Sequence, residues 1–420
     1  MVLTTAALAA ATVLVAAGCV ASGPDPATEG TWAGTITTEG DVTTVVNESG
    51  SLWGGPAALV EEASIGVASG EPWYMLGHIS GVAASGDRIY VADQSVPAVR
   101  AYTRGGEYVG DLGREGQGPG EYVYIAAIDV ADDGRVFVHA RNQRRVNVYA
   151  STGEFLASHA LPFTMTDSMV VALDGTTHGP VLAGPEDVYY RTAYGYQAHG
   201  PDGPHGSILV PPRFEFEPPH VAGPRSLPVP HAPNYTWAMA PNGALIAGVS
   251  NEYSFTVVRP DGSELFVRRA YEPIPIEEEE RQDAIRSTED FMQRYEDSQA
   301  WEGPPVPHFK SAYLRFMPTR SGELWVIRPG TSEVWGRLKP GERVWRDNYI
   351  VDAFARDGRY LGEVELPAGA RGAIGVYVTN HGGPFAWVSD DVVIMPVEDT
   401  DGIIKVKRYR LTPPGEVANK

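Results

Sequence analysis

Cys19 closes the run Ala16-Ala17-Gly18-Cys19, directly behind an apolar stretch from Val2 to Val15. Small residues before a cysteine let a lipoprotein signal peptidase fit closely around the chain, and a free thiol can accept a diacylglyceryl group. The chemistry expected at Cys19 is therefore lipidation. The apolar stretch is too short for a stable span and ends in small residues, as a signal peptide does. One departure is that Met1 to Thr5 carries no Lys or Arg. The competing reading is a buried N-terminal helix with an incidental cysteine. Cys19 is the only cysteine, so lipidation would leave neither a thiol nucleophile nor an intramolecular disulfide.

A second group with binding chemistry is basic. Arg141-Asn142-Gln143-Arg144-Arg145 forms one cluster, and with Arg114 and Arg100 it could hold a carboxylate or a sugar. Ion pairing with neighbouring loops is the plainer role for the same residues. Trp301, Trp335 and Trp345 lie in long insertions, where they could stack on a glycan or polymer, or simply pack on a rim. Ten histidines are present, without HExxH or His-x-His spacing. His199 and His205 flank a Gly-Pro turn and make a weak metal pair. There is no G-x-S-x-G elbow and no Gly-rich phosphate loop with Lys. No catalytic residue is assigned, and no cofactor is expected. The one alternative is Ca²⁺, which propeller lactonases hold in a central channel through Glu, Asn and Asp from several blades. Asn142 and Asn251 occupy equivalent repeat positions, with Asp93 close to one, but they belong to loops and not to channel-lining strands.

The elements that position these residues follow from composition and repetition. The 47 Gly and 34 Pro punctuate short apolar stretches, a pattern of many strands and turns. The formal charge of −20 argues against nucleic acid and against electrostatic binding to anionic lipid. Asp87-Arg-Ile-Tyr-Val-Ala, continuing to Gly106-Glu-Tyr-Val109, repeats without a gap as Gly134-Arg-Val-Phe-Val-His, continuing to Gly153-Glu-Phe-Leu156. Further copies begin at Gly243 and Gly322. Each copy has a D-G or N-G type turn, an alternating strand, a polar loop, another strand, a second Gly turn and a short strand. With the apolar stretch before it, this is a four-stranded antiparallel unit, one blade of a propeller.

Six blades are predicted near 75–122, 123–162, 163–211, 232–272, 308–367 and 382–412. The fold class is thus all-β, a six-bladed β-propeller with one short helical insertion at about 276–297. The last blade shows three strands, and Asp41 to Val46 is predicted to supply its missing outer strand. The chain divides into a signal peptide (1–19), a flexible tether (20–39), the propeller (40–412) and a C-terminal tail (413–420). Three long segments are predicted to project from one face, together with the connector from Gly113 to Tyr122. They are Pro212 to His231, Tyr271 to Pro307 and Pro329 to Tyr349.

The connector Asp111-Leu-Gly-Arg-Glu-Gly-Gln-Gly-Pro-Gly-Glu-Tyr122 resembles the GREGxGPGEF connector of bacterial six-bladed, NHL-like propeller lipoproteins. Thr44 to Trp53 and Ile65-Gly66 resemble the lead-in of the same family. The resemblance implies the fold and an address, a lipid-anchored protein at the cell envelope. Val20 after the cysteine implies the outer membrane by family habit. It implies no reaction. The expected function is a non-enzymatic binding or assembly module. Its loop-rich face would engage an envelope protein, peptide or glycan through Arg114, Arg141, Asn142, Arg144, Arg145, Trp335 and Trp345. It would be a monomer that touches membrane only through its lipid. The alternatives are a metal-dependent hydrolase, lactonase or lyase, and a structural accessory of an outer-membrane uptake complex.

Overall fold

Tight turns set the blade geometry. Gly134 and Gly153 sit at φ of 85° and 93°, a backbone region that glycine alone enters without cost. Each such turn reverses an alternating strand onto its predecessor. The structure, a computed structural model, describes residues 30–161, 169–183, 194–221, 227–295, 301, 303–337, 343–370 and 386–415. Cys19 and the segment before it lie outside the described residues. Among the described residues no helix is long and apolar enough to cross a bilayer.

Six four-stranded antiparallel blades follow one another along the chain. Blade 1 is Ile79–Ser85, Arg88–Asp93, Ala98–Thr103 and Tyr108–Leu112. Blade 2 is Ile125–Val130, Val136–Ala140, Arg145–Tyr149 and Phe155–Ala160. Blade 3 is Val170–Val171, Thr177–Leu182, Tyr194–Gly200 and Gly203–Leu209. Blade 4 begins with Tyr235–Met239 and ends with Glu264–Arg269. Blade 5 contains the long hairpin Leu324–Arg337 and Arg343–Phe354. Blade 6 contributes Trp387–Ser389, Val392–Glu398 and Ile404–Thr412. The fold is a six-bladed β-propeller. The helical insertion is one helix, α1, Glu278–Tyr295, whose first turn carries Glu278, Glu279 and Glu280 where the helix dipole favours them.

The N-terminal arm corrects two expectations. Residues 33–39, read as part of a tether, form the strand Ala33–Glu39, hairpinned to Val42–Ser49. The latter strand contains Asp41's neighbours Val42 to Val46, yet it does not close the last blade. It runs parallel to Glu264–Arg269 and widens blade 4 to six strands. Blade 6 is closed instead by Ala58–Ile65, which pairs antiparallel with Ile404–Thr412. Both segments alternate, so either could serve as a strand; burial decides between them. Ile65 fits the interface of blades 6 and 1 among Ile79, Val82, Tyr102 and Val406. Val45 is fully buried in the blade 4/5 cluster beside Val267 and Tyr360. Between the two strands the arm crosses the outer edge of blade 5. Leu52 N donates to Tyr360 O at 3.0 Å, Trp53 N to Leu361 O at 2.8 Å and Ala57 N to Glu363 O at 2.8 Å. One arm therefore lies along the outer edges of three consecutive blades, closing that of blade 6 and leaving the exposed strand Ala33–Glu39 as the outermost of blade 4. Asn47 is its buried peg: Nδ2 donates to Gly358 O at 3.1 Å, and Oδ1 accepts from Tyr360 N at 2.8 Å and Trp32 Nε1 at 2.7 Å.

Blades 4 and 5 are also pinned through Asp352, which is fully buried. Its carboxylate accepts from Tyr253 at 2.6 Å, Tyr360 at 2.9 Å, Arg269 at 3.2 Å and Arg328 at 3.3 Å. On the opposite face from the long insertions, Arg320 of blade 5 reaches Asp129 (3.4 Å) and Asp132 (3.0 Å) of blade 2. That bridge joins blades three apart on the ring, at the face of short turns.

The interface of blades 2 and 3 is polar and unusually bare of partners. Among the described residues, His159 Nε2, both ring nitrogens of His199 and Thr177 Oγ1 are buried without a hydrogen bond. Thr177 sits directly opposite His199 in the ladder. Burial pushes the imidazoles of His159, His178 and His199 below their ordinary value of 6.5, helped for His159 by the neighbouring His199. The unfolded chain then binds these protons at a higher pH than the folded one. Stability is therefore expected to be fully present above pH 6.5 and to fall as pH drops through the unfolded value toward the folded ones. Melting temperatures at pH 7.5 and pH 5 measure this. His199→Phe should flatten the difference, and an unchanged slope would count against the assignment.

Candidate functional site

The three long segments meet on one face, and buried ions join them. Lys310 follows the α1 insertion directly and is almost inaccessible, as is Glu280 in the first turn of α1. Lys310 Nζ lies 3.4 Å from Glu280 Oε1 and forms an ion pair with Asp347 on the blade 5 hairpin. The Ser332 hydroxyl accepts from Lys310 at 2.5 Å. It lies 2.7 Å from both Glu280 Oε1 and Asp347 Oδ1, and donates to one of them. His231, at the end of the first insertion, brings Nε2 to 3.8 Å from Glu280 Oε1. Burial pushes the His231 imidazole down, against the pull of Glu280 and Asp347. His231 adopts a φ of 58°, a left-handed conformation that turns the chain into blade 4.

A second latch lies one helical turn on. Asp283 accepts from Trp345 Nε1 at 2.8 Å and Arg343 Nε at 2.8 Å, and pairs with Arg286. Burial alone would raise the Asp283 carboxyl, but these three donors outweigh it and hold it below the usual carboxylate range. Arg343 also reaches Glu279 at 3.1 Å. The apolar side of α1 packs Met292 and Ile285 against Val221, Val229 and Trp301. The insertions thus form one block held by ions on one side of the helix and by hydrophobic contact on the other. A serine, a lysine and carboxylates are the inventory of a hydrolase. Here the ammonium is neutralised by two carboxylates and sealed from solvent, so the group acts as a latch.

The candidate binding residues separate into three situations. Arg145 is spent inside the fold: its guanidinium donates to Gln117 O at 3.1 Å, Glu121 O at 3.1 Å and Gly118 O. Gln143 likewise laces the connector, donating to Gly116 O at 3.1 Å and accepting from Val123 N at 3.1 Å. Arg100 is buried against Asp93 at 3.2 Å and is not available to a ligand. Arg114 is 82% exposed and pairs with Glu121 at 2.8 Å. The Gly118 N–H and then Arg114 hold the Glu121 carboxyl low. Asn142 and Arg144 are exposed and Arg141 is half-buried, with Arg144 at the left-handed end of a 3₁₀ turn. Trp345 is half-buried in the α1 latch and Trp301 is packed beneath it. Trp335 is 60% exposed, with the Arg346 guanidinium 4.1 Å from its ring centre. Arg100 belongs to blade 1, Arg114 to the connector after it and Arg141, Arg144 and Arg145 to blade 2, while Trp335 and Trp345 belong to blade 5 and Trp301 to the α1 insertion, so the ring does not bring them into one site. Among the described residues no three His, Cys, Asp or Glu side chains are grouped to hold a metal ion.

With this geometry in view, comparison with known proteins speaks to the fold. The model of the family DUF5128, described as a 6-bladed beta-propeller, matches residues 74–178, which span blades 1 and 2 and the start of blade 3. No curated protein matches the chain. Among solved structures, an exported-protein candidate from Bacteroides fragilis is similar at 12% identity and a TM-score of 0.44, over 84% of this chain and 94% of that one. A DUF4221 family member from Bacteroides vulgatus is similar at 10% identity and a TM-score of 0.46, over 85% and 99%. A virginiamycin B lyase from Staphylococcus aureus is similar at 9% identity and a TM-score of 0.35, over 80% and 94%. At these scores the likenesses carry nothing about activity, ligand or location.

The ionic latch was invisible in sequence. His231, Glu280, Lys310, Ser332 and Asp347 come from segments far apart in the chain, and none forms a motif with its neighbours. The usable signal was indirect, since the segments that carry them are the long ones on a scaffold whose other connections are short.

Proposed function

We propose that the protein is exported, anchored through a lipid on Cys19, and acts at the cell envelope as a binding or assembly module. Its loop-rich face engages a protein, peptide or glycan partner. The observation that carries this reading is the buried latch. Charges are taken out of water to hold three insertions in one arrangement, and loops ordered in advance lose less freedom when a partner binds. Trp335 offers an exposed ring backed by Arg346, a surface suited to stacking on a sugar or a planar peptide group. Arg114, Asn142 and Arg144 offer polar contacts across the ring. The Cys19 motif supports export and anchoring.

The test compares faces. Trp335→Ala and the pair Arg114→Ala with Arg144→Ala alter the loop-rich face, and Glu154→Ala alters an exposed turn on the other. Glycan-array binding and quantitative cross-linking in envelope fractions read the result. At least one loop-face variant is expected to lose about tenfold or more, in line with ~1.5–3 kcal/mol per charge-assisted contact. Glu154→Ala should have no effect. Equal loss from both faces, or none from either loop-face variant, defeats the reading. Intact-mass analysis tests the anchor: a diacylglyceryl mass should be present on the wild type and absent from Cys19→Ser.

A further inference from the structure

A cavity of about 200 Å³ opens between blades 4 and 5 on the face of short turns, away from the latched insertions. Its position follows from the blade repeat. Inner-facing residues of adjacent blades normally interdigitate, but here alanines stand at the contact on blade 4. Ala240 and Ala244 are both buried and line the gap. The walls are apolar, formed by Phe255 and Leu265 of blade 4 with Leu324 and Phe354 of blade 5. The mouth is polar, with Arg259, Arg356 and Glu323 around it.

The rim charges are unbalanced. Arg356 is exposed, and its guanidinium makes no hydrogen bond or ion pair with the described residues. Arg259 makes only long contacts, 3.3 Å to Ser263 Oγ and 3.4 Å to Arg356 O. Burial pushes the Glu323 carboxyl up, toward its neutral form, while Arg356 opposes this. Arg259 faces the Asp261 carboxylate, and Asp390 adds to the push on Glu323, so Arg356 is the cation left open at the mouth of this cavity. A cavity with apolar walls beneath an open guanidinium is complementary to a molecule with an apolar tail and an anionic head.

We propose that this cavity binds a small amphipathic carboxylic acid, with its tail between blades 4 and 5 and its carboxylate on Arg356. Size limits the tail. An apolar cavity of ~150 Å³ takes up benzene, so this one accommodates a single aromatic ring with a short chain, or a short acyl chain of similar bulk. Arginine suits the head because its fork can donate twice to one carboxylate. The site lies on the other face from the proposed partner surface, so either reading can fail without the other.

The test uses the full-length chain in mild detergent, with 3-phenylpropionate as the probe and 3-phenylpropionamide as its uncharged counterpart of the same shape. Calorimetry gives affinities, and methyl-labelled NMR locates binding at Leu265 and Leu324. The acid is expected to bind at least tenfold more tightly than the amide. Arg356→Ala, at an exposed position, should weaken the acid at least tenfold and leave the amide unchanged. Ala244→Leu should fill the cavity and abolish binding of both. The comparison of acid with amide on the wild type keeps the test decisive should that variant fold poorly. No saturable binding of the acid at millimolar concentration would overturn the proposal. So would equal binding of acid and amide, indifference to Arg356→Ala, or methyl shifts confined to other parts of the molecule.

Discussion

Removing residues 30–66 is expected to abolish the stable ring. Ile404–Thr412 would lose its ladder partner Ala58–Ile65, and blade 6 would expose an edge. Ile65, Ala63 and Ala57, all buried, would vanish from two blade interfaces, leaving Val406, Tyr409 and Leu411 partly uncovered. Blade 5 would lose its four backbone bonds to the arm, the fourth being Glu365 N to Ala57 O at 2.9 Å, and blade 4 its two added strands. Burial of one large aliphatic side chain is worth ~1.5–3 kcal/mol. The combined loss therefore approaches the ~5–15 kcal/mol by which a domain is stable at all. Calorimetry and light scattering should show no cooperative melt, or a much lower one with aggregation. A shorter deletion of residues 30–47 provides the contrast. It strips the extra hairpin from blade 4, with Val45 from the blade 4/5 cluster and the Asn47 peg to Gly358 and Tyr360 of blade 5, but leaves each blade its own four strands, and should lower the melting temperature without preventing folding. Equal stability of the longer deletion and the wild type would show that the ring closes without the arm.

Lys310→Met is expected to be the most damaging single substitution on the loop-rich face. It leaves Glu280 and Asp347 close together, both within reach of one Ser332 hydroxyl and with no cation between them. Removing one partner from a buried ionic group costs ~3–5 kcal/mol. The loss should be local at first, because the blades have their own interfaces. Limited proteolysis should cut within residues 271–307 under conditions where the ring still melts cooperatively. The double variant Lys310→Met with Glu280→Gln should recover part of the loss, since it removes one of the stranded charges. A Lys310→Met protein that resists protease and denaturant as the wild type does would show that Lys310 does not hold the block.

The two predictions rest on features that differ in how far the sequence exposed them. That the last blade lacks a strand was legible, because three alternating stretches end the chain where a blade needs four. Which N-terminal stretch supplies it was not. Val42–Ser49 and Ala58–Ile65 both alternate, and alternation states only that one face is buried. It does not say against what, or whether the pairing is parallel. Val45 beside Val267, and Ile65 beside Val406, are matches of shape between residues more than 200 positions apart. The basic cluster shows the same limit. Arg145 and Arg144 are neighbours and look alike in sequence. A strand start aims one guanidinium at the connector's carbonyls, and a left-handed turn leaves the other in solvent.

Local physics determined what the sequence could state by itself. Turn glycines, period-two alternation and an ungapped repeat are properties of adjacent residues, and they suffice for blades, their number and the face that carries long loops. The grouping of three tryptophans, ten histidines and the arginines into sites depends on which blades stand side by side. So do the Lys310 latch, the Asp352 pin and the cavity behind Ala244. Each arises where segments distant in the chain are pressed together, and the energies that select those contacts, desolvation against pairing and shape against void, exist only once the ring has closed.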